Sequence, residues 1–213
     1  MAFSDDVIRG YKDAAAALVV QYDAVPSATI YAPVVEYFPI PPATALDVGT
    51  GNGRDAAWLT GLGYSVRAVD PVAPFVAAAA ARVPQAQITQ DRLPELGSVA
   101  ERYDLILVNA IWQHVDPNDR AAALARLAVL LLPAGRLILS LRHGPGHPTR
   151  PVAPVDTDET QRHAHAAGLR VLHRTETGSL QSGNIAAGVS WTWLVLMPAS
   201  GSGSADGVRF RSG

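Results

Sequence analysis

Apolar and polar positions along this chain form alternating short and long segments. Five short segments are typical of strands: 45–48, 64–69, 87–90, 103–109 and 135–141. The longer segments between them, such as 54–61, 71–83 and 117–132, are typical of helices. Strands that alternate with helices predict an α/β fold in which helices cover a mainly parallel sheet.

Further elements are predicted on both sides of this alternating region. A helix over 4–22 has apolar residues at spacings of three and four, and a second helix is expected over 29–38. Near the carboxyl terminus, a helix over 156–167 precedes strands at 169–176 and 189–197, which a polar loop connects. The alternating region is therefore preceded by two predicted helices over 4–38, which we call the leader, and followed by a pair of strands.

The most informative stretch runs from Ala45 to Asp70. A buried strand leads into the turn Gly49-Thr50-Gly51-Asn52-Gly53, a helix follows, and a second strand ends on Asp70. Glycines allow the backbone to bend sharply and a ligand to approach it closely. A carboxylate about 20 residues after such a turn can accept hydrogen bonds from ribose hydroxyls. The unit therefore predicts a site for a nucleoside-containing ligand.

The spacing of the turn distinguishes between cofactors. A dinucleotide site favours G-x-G-x-x-G, but Arg54 occupies the third position of that pattern. LDVGTGNG, with Asp47 before the turn, instead resembles the first motif of the class I S-adenosylmethionine-dependent methyltransferases. YDLILVNAIWQHV and LLLPAGRLILS are similar to later motifs of that family, with Ala134 in place of a glycine.

This resemblance covers 43–197 and implies a Rossmann-like, doubly wound fold. The implied sheet has seven strands and is mainly parallel with an antiparallel last strand, and an N-terminal helical lid covers it. We expect the lid over 1–42, as part of the same domain, and the S-adenosylmethionine-binding methyltransferase domain over 43–198. The tail over 199–213 is expected to be disordered because it is rich in serine and glycine. The implied cofactor is S-adenosyl-L-methionine, with S-adenosyl-L-homocysteine as product.

The resemblance also implies which residues bind the cofactor. Asp91 follows the third strand, where family members contact the adenine amino group, and Asn109 follows the fourth strand, beside the methyl donor. Tyr11 and Tyr22 are candidates for the lid, the alternative being that both rings simply pack on the sheet. The full expected set is Tyr11, Tyr22, Asp47, Gly49, Thr50, Gly51, Asn52, Asp70, Pro71, Asp91, Arg92, Leu93, Asn109, Ala110 and Ile111.

Three residues are candidates for catalysis. Family members often carry a histidine at the position of His114, where it closes the donor site or faces the acceptor. Arg142 and His143 follow the fifth strand, at the edge of the sheet where ligands bind. A cation at Arg142 suits an anionic acceptor, and His143 is a candidate general base. The alternatives are solvent exposure for Arg142 and a structural role in a loop for each histidine.

A small molecule is the expected acceptor. The fourth strand ends in Asn109-Ala110-Ile111-Trp112, not in the D/N-P-P-aromatic motif of enzymes that methylate amino groups of nucleic-acid bases. The chain has no cysteine, which excludes a thiolate nucleophile. Two alternatives stay open. One is a non-catalytic protein that binds the cofactor. The other is an NAD(P)-dependent oxidoreductase, although Lys12 is the only lysine and a Tyr-x-x-x-Lys pair is absent.

Charge and hydropathy set limits on partners. The net charge is −2 and no basic stripe stands out, so no nucleic-acid partner is expected. No uncharged apolar run reaches the about 18 residues that span a bilayer, and Asp5, Asp6 and Asp13 disfavour a signal peptide. No metal site is predicted, because no acid or cysteine accompanies His143 and His147. We expect a cytoplasmic protein without a membrane partner, acting as a monomer or homodimer.

Overall fold

The sheet contains seven strands in a computed structural model that describes residues 3–199. Its strands, in chain order, are β1 (Ala43–Val48), β2 (Tyr64–Asp70), β3 (Gln87–Gln90), β4 (Tyr103–Val108), β5 (Leu131–His143), β6 (Leu169–Gly178) and β7 (Ser190–Pro198). The spatial order is β3-β2-β1-β4-β5-β7-β6, and β7 is antiparallel to both of its neighbours. The expected fold class, with its antiparallel last strand, is confirmed.

Helices cover both faces of this sheet. They are α1 (Phe3–Gln21), α2 (Ser27–Tyr31), α3 (Arg54–Gly61), α4 (Ala73–Arg82), α5 (Arg120–Val129), α6 (Thr157–Ala166) and α7 (Ser182–Ala186). Tyr31 of α2 and Leu59 of α3 pack in the core on one face, whereas Leu127 of α5 and Ala164 of α6 pack in the core on the other. The fold is therefore doubly wound, as its alternating strands and helices require.

The strand order reverses beside β1. The chain moves outward from β1 to β2 and β3, then crosses back to β4 on the other side of β1. In open α/β sheets such a reversal leaves a crevice at the carboxyl ends of the two central strands, where ligands bind. Leu18 of α1 packs there against Val72 and Phe75 at the start of α4. The leader therefore lies beside the crevice that the topology creates.

Two predicted elements differ from the structure. The helix expected over 29–38 is replaced by the shorter α2 and a separate 3₁₀ turn at Val35–Tyr37. Pro33 explains the break, because a proline inside a helix removes one hydrogen bond and clashes with the preceding turn. The loop expected over 177–188 contains α7, a short helix that its polar composition did not indicate. Except for Ala199, the tail lies outside the described residues, and the division into lid, domain and tail stays a prediction.

Gly10 allows α1 to approach the loop between β5 and α6. This glycine is buried in the helix interior, where glycine ordinarily costs stability. A Cβ atom at this position would clash with the carbonyl oxygen of Thr149 and would lie 3.2 Å from Cγ of Arg150. The absent side chain therefore sets the distance between the leader and the 144–156 segment, which we call the β5–α6 loop.

We expect Gly10→Ala to lower the free energy of unfolding by about 1–3 kcal/mol, because the added methyl group overpacks this contact. Urea denaturation measures the change. Ala17→Gly, at an exposed position of the same helix, is the control and should cost about 1 kcal/mol through helix propensity alone. A more stable Gly10→Ala variant would contradict the close approach.

Candidate active site

A cavity of ≈1220 Å³ opens at the carboxyl ends of β1, β2 and β4. The glycine turn and Asp70 form its floor, and Tyr11 and Tyr22 of the leader line it from α1 and the turn that follows. The β5–α6 loop contributes Arg150 to the same cavity. The leader and this loop therefore partly cover the crevice that the strand order creates.

The glycine turn requires its glycines for both conformation and space. The φ angles of Gly49, Gly51 and Gly53 are +78°, +56° and +77°, a region that side chains disfavour. A Cβ atom at Gly49 would lie 2.5 Å from Cγ2 of Ile111, and one at Gly51 would lie 3.1 Å from Cε2 of Tyr22. The turn therefore packs directly against both the β4 end and the leader.

Asp70 bonds directly to the glycine turn and lines the cavity. Its carboxylate accepts hydrogen bonds from the backbone N–H groups of Gly51 at 2.9 Å and Val72 at 2.8 Å. The residue is 5% exposed, and burial raises its pKa to about 6 despite these two bonds. Each carboxylate oxygen can accept a further bond, so the group remains able to bind ribose hydroxyls.

Asp47 and Thr50 lie behind the turn and do not line the cavity. The Thr50 hydroxyl donates to Asp47 at 2.6 Å, and both side chains are buried. Burial, with Asp55 nearby, raises the pKa of Asp47. Asp47, the acid of the first motif, thus bonds to the glycine turn on the side away from the cavity.

The leader is attached to the turn through two side chains. Asn52 donates from Nδ2 to the carbonyl oxygen of Val19 at 2.8 Å and to Asp23 at 2.9 Å. Arg54 donates from a terminal nitrogen to the carbonyl oxygen of Tyr22 at 2.8 Å. The residue that replaces the third glycine of a dinucleotide motif therefore fixes the leader over the cavity.

Asp55 is the centre of a buried polar cluster at the start of α3. Its carboxylate accepts bonds from the hydroxyls of Ser27 at 2.7 Å and Tyr31 at 2.8 Å, and Arg54 binds both of its oxygens at 2.7 and 3.1 Å. Burial raises the pKa of Asp55, but the bonds from Arg54, Ser27 and Tyr31 outweigh it and lower the pKa overall. The ionised carboxylate therefore connects α2 to the glycine turn.

The carboxyl end of β4 has an unusual backbone. Ala110 has a φ of +58°, and non-glycine residues in this region are concentrated at functional sites. Its N–H donates to Oγ of Ser140 at 2.8 Å, and that hydroxyl donates to Oδ1 of Asn109 at 2.8 Å. Gln113 donates to the carbonyl oxygen of Ala110 at 2.6 Å. These bonds fix the direction in which the strand end faces the cavity.

His114 is held in one orientation by two bonds. Its Nδ1 lies 3.0 Å from the carbonyl oxygen of Pro151, and its Nε2 lies 2.8 Å from the Tyr11 hydroxyl. A carbonyl oxygen only accepts, so Nδ1 carries the proton and Nε2 accepts from Tyr11. Burial lowers the pKa of His114 to about 4, with smaller contributions from Arg142 and Arg150, so the ring is neutral at pH 7.

Arg142 and His143 are not brought together. Arg142 lines the cavity and donates to the carbonyl oxygens of Gly144 at 3.2 Å and Pro145 at 2.7 Å. His143, the next residue of β5, does not line this cavity and bonds to the Thr192 hydroxyl at 2.9 Å. Adjacent strand residues point to opposite faces of a sheet, which explains the separation.

Most of the other expected cofactor residues reach the cavity. Asp91 lines it while accepting bonds from both the backbone and the hydroxyl of Ser98, at 2.7 and 2.6 Å. The expected residues that line the cavity are Tyr11, Tyr22, Gly49, Gly51, Asn52, Asp70, Pro71, Asp91, Arg92, Leu93, Asn109, Ala110 and Ile111. Their roles in binding stay predictions.

Sequence reasoning missed several cavity residues. Asp55 was not singled out, although an acid directly after Arg54 in a glycine turn was a visible signal. Arg150 lies in a proline-rich segment with no motif, and tertiary contacts such as the close approach at Gly10 bring it to the cavity. Gln113 is buried, and its Oε1 has no hydrogen-bond partner among the described residues. It lies next to His114 in the fourth motif, but the motif itself does not indicate a role for a glutamine at this position.

A family model described as a methyltransferase domain matches residues 45–135, from β1 to the first part of β5. The chain is 40% identical over 96 residues to the protein-L-isoaspartate O-methyltransferase of Chlorobaculum parvum, a match that covers 43% of each protein. It is 33% identical over 98 residues to the ubiquinone biosynthesis O-methyltransferase of Rhodopseudomonas palustris, covering 45% of this chain and 38% of that protein. The matched region thus spans less than half of either relative.

A solved structure agrees in fold. The Burkholderia thailandensis 1,6-didemethyltoxoflavin-N1-methyltransferase, with bound 1,6-didemethyltoxoflavin and S-adenosylhomocysteine, is similar with a TM-score of 0.60 and 22% identity. The match covers 88% of this chain and 89% of that chain. The match of 45–135 to the methyltransferase-domain model confirms the expected resemblance to the class I S-adenosylmethionine-dependent methyltransferases, and the solved structure shows the same fold.

The described residues contain neither a membrane-spanning helix nor a cluster of metal ligands. Within 3–199, no helix is long and apolar enough to cross a membrane. The same part of the chain contains no group of three or more His, Cys, Asp or Glu side chains placed to hold a metal ion.

We expect Arg54→Met to lower the free energy of unfolding by about 3–5 kcal/mol at pH 7, because it leaves the Asp55 carboxylate buried without its cation. Without Arg54, burial favours the protonated form of Asp55. The loss should therefore be smaller at pH 5, where that carboxyl gains a proton more readily. Urea denaturation at the two pH values measures both effects.

Arg82→Met is the matched control for this variant. Arg82 forms an ion pair with Asp23 at 2.7 Å, but both side chains are substantially exposed, so its loss should cost at most about 1 kcal/mol. Equal, small losses in the two variants would show that the Arg54–Asp55 pair does not stabilise the leader.

Proposed function

We propose that this protein transfers the methyl group of S-adenosylmethionine to a small-molecule acceptor. The observation that carries the proposal is the buried Asp70 carboxylate beside the glycine turn, at the cavity end of a segment that matches the methyltransferase domain. This arrangement offers an acceptor for ribose hydroxyls next to a backbone that a ligand can approach.

Each part of the cofactor would bind at the end of a different strand, namely β2, β3 or β4. Asp70 would bind the ribose hydroxyls, and Asp91, with its carboxylate at the end of β3, would accept from the adenine amino group. Phe75 and Leu93 supply apolar surface on the same side of the cavity. The backbone of Asn109 to Ile111 would face the methionine part, because the bonds to Ser140 and Gln113 orient it toward the cavity.

When bound, the cofactor supplies a methyl group activated by the positive charge of its sulfur. The work of the protein is then to hold the acceptor atom in line with that methyl group, and alignment alone can lower a barrier by several kcal/mol. An acceptor hydroxyl also has to lose a proton. The unprotonated Nε2 of His114 accepts from the Tyr11 hydroxyl, so a proton from the acceptor can pass to the Tyr11 oxygen while the Tyr11 proton passes to Nε2.

The partial cover over the cavity favours a small acceptor. Tyr11 of α1 and Arg150 of the β5–α6 loop meet over it, with Cζ of Arg150 5.3 Å from the centre of the Tyr11 ring. The relatives named above include enzymes of both small molecules and proteins, judging by their names, so they do not select the acceptor. We propose that residues 1–42 act as a lid within the same domain, because α1 and α2 are bonded to the glycine turn and α3.

We expect S-adenosylmethionine and S-adenosylhomocysteine to raise the thermal unfolding midpoint, and NAD and NADP to leave it unchanged. A ligand at about 100 times its dissociation constant adds about 2.7 kcal/mol, or about 5–10 °C for a chain of this size. Scanning calorimetry with each compound separately measures the shift. A shift with NAD or NADP alone would overturn the proposal.

The role of Asp70 is tested by the pH dependence of S-adenosylhomocysteine binding. Since its pKa is about 6, S-adenosylhomocysteine affinity should fall by about 10-fold from pH 7 to pH 5, as the carboxylate that accepts from the ribose is protonated. Asp70→Asn should bind more weakly at pH 7, by about 1.5–3 kcal/mol, and lose this pH dependence. The same affinity in both proteins at pH 7 would remove Asp70 from the ribose role.

A further inference from the structure

Two arginine side chains line the cavity without a carboxylate partner. Within residues 3–199, the ion pairs of cavity-lining arginines join Arg54 to Asp55 and Arg92 to Asp5, whereas Arg142 and Arg150 form none. Both are partly buried, so their charges are not fully hydrated. A half-buried guanidinium without an anion is costly unless a ligand supplies one.

The two arginines belong to the same corner of the cavity. Arg150 places its guanidinium 5.3 Å from the centre of the Tyr11 ring, and the hydroxyl of that ring bonds to His114. Arg142, at the end of β5, acts electrostatically on the same Tyr11 and His114 groups, and so does Arg150. The corner therefore combines two positive charges with a hydroxyl and an unprotonated imidazole nitrogen.

The surrounding structure holds both guanidinium groups in place. The carbonyl oxygens of Gly144 and Pro145 accept from one terminal nitrogen of Arg142, and Asn184 accepts from the other at 3.4 Å. The packing of the β5–α6 loop against Gly10 fixes the segment that carries Arg150. These contacts orient the side chains while they leave both positive charges uncompensated.

Three acids of the cavity are bonded to groups other than Arg142 and Arg150. Asp55 is bonded to Arg54, Ser27 and Tyr31, and Asp70 accepts from two backbone N–H groups at the end of β2. Asp91 accepts from Ser98 at the end of β3. Asp116 and Asp119, which follow His114 in the chain, also line the cavity, and within residues 3–199 neither forms an ion pair with Arg142 or Arg150. The positive charges of Arg142 and Arg150 at the Tyr11–His114 corner are therefore not paired with any acid of the cavity.

We propose that the methyl acceptor is an anion, and that its carboxylate or phosphate group binds to Arg142 and Arg150. Guanidinium groups bind both oxyanions through paired N–H donors. The nucleophilic atom of this acceptor would then face Tyr11 and His114, which can take its proton. Trp191 lies opposite Arg142 on the adjacent strand β7 and lines the same cavity, so it offers an aromatic surface to the body of the acceptor. This inference rests on the proposed methyl transfer.

Four probes test the charge of the acceptor with the protein saturated by S-adenosylhomocysteine. Benzoate and phenyl phosphate carry the two oxyanions, and benzamide and benzyl alcohol are their uncharged counterparts. We expect at least one anion to bind about 10-fold or more tightly than its counterpart in calorimetric titrations in a buffer free of phosphate and sulfate. The two anionic arms distinguish a carboxylate acceptor from a phosphorylated one.

Variants assign this preference to the two arginines. In the double variant Arg142→Gln with Arg150→Gln, the anion should bind no more tightly than the neutral probe, while the affinity for S-adenosylhomocysteine stays within about twofold. Arg102→Gln, at an exposed position that does not line the cavity, is the control and should keep the preference. Retention of the S-adenosylhomocysteine affinity also shows that the double variant is folded.

The outcomes separate the two proposals. If S-adenosylhomocysteine binds but neither anion is favoured over its neutral counterpart, or the double variant keeps the preference, the anionic acceptor is wrong and methyl transfer stands. If S-adenosylhomocysteine does not bind to the wild-type protein, the proposed function falls and this inference falls with it.

Discussion

The position of the leader over the cavity depends on the buried ion pair between Arg54 and Asp55. Asp55 bonds to Ser27 and Tyr31 of α2, and Arg54 bonds to the backbone oxygen of Tyr22 just after α1. A buried pair of this kind adds little net stability by itself, but loss of one partner is costly. It therefore specifies one arrangement of the leader, in which the glycine turn, α1 and α2 are held together and the leader partly covers the crevice.

The cavity under the leader has two chemically different ends. At the glycine turn, Asp70 is a buried carboxylate that is able to accept hydrogen bonds from a ribose. At the other end, Arg142 and Arg150 lie near a neutral His114, which burial and the two cations keep unprotonated at pH 7. The first end suits the cofactor of the methyltransferase domain, and the second suits an anionic acceptor that gives up a proton.

The sequence predicted the sheet and the cofactor end because both depend on local patterns. The strand segments and the turn at Gly49 to Gly53 have the periodicity and the glycine spacing of their structures. The acceptor end could not be predicted in the same way, because it depends on packing between distant segments. The close approach of Gly10 to Thr149 and the bond of His114 to Pro151 hold the segment that places Arg150 over Tyr11. Adjacent side chains of β5 point to opposite faces of the sheet, so His143 and Arg142 are separated. Which of them faces the cavity is known only when the faces of the sheet are known.

The most direct test of this account is a crystal structure of the protein with S-adenosylhomocysteine. We predict that both ribose hydroxyls donate to Asp70 within about 3.2 Å and that the sulfur faces the Tyr11–His114 corner. Arg142 and Arg150 should remain uncovered by the cofactor. Adenosine bound away from Asp70, or a homocysteine carboxylate paired with Arg142 and Arg150, would contradict the division of the cavity into a cofactor end and an acceptor end.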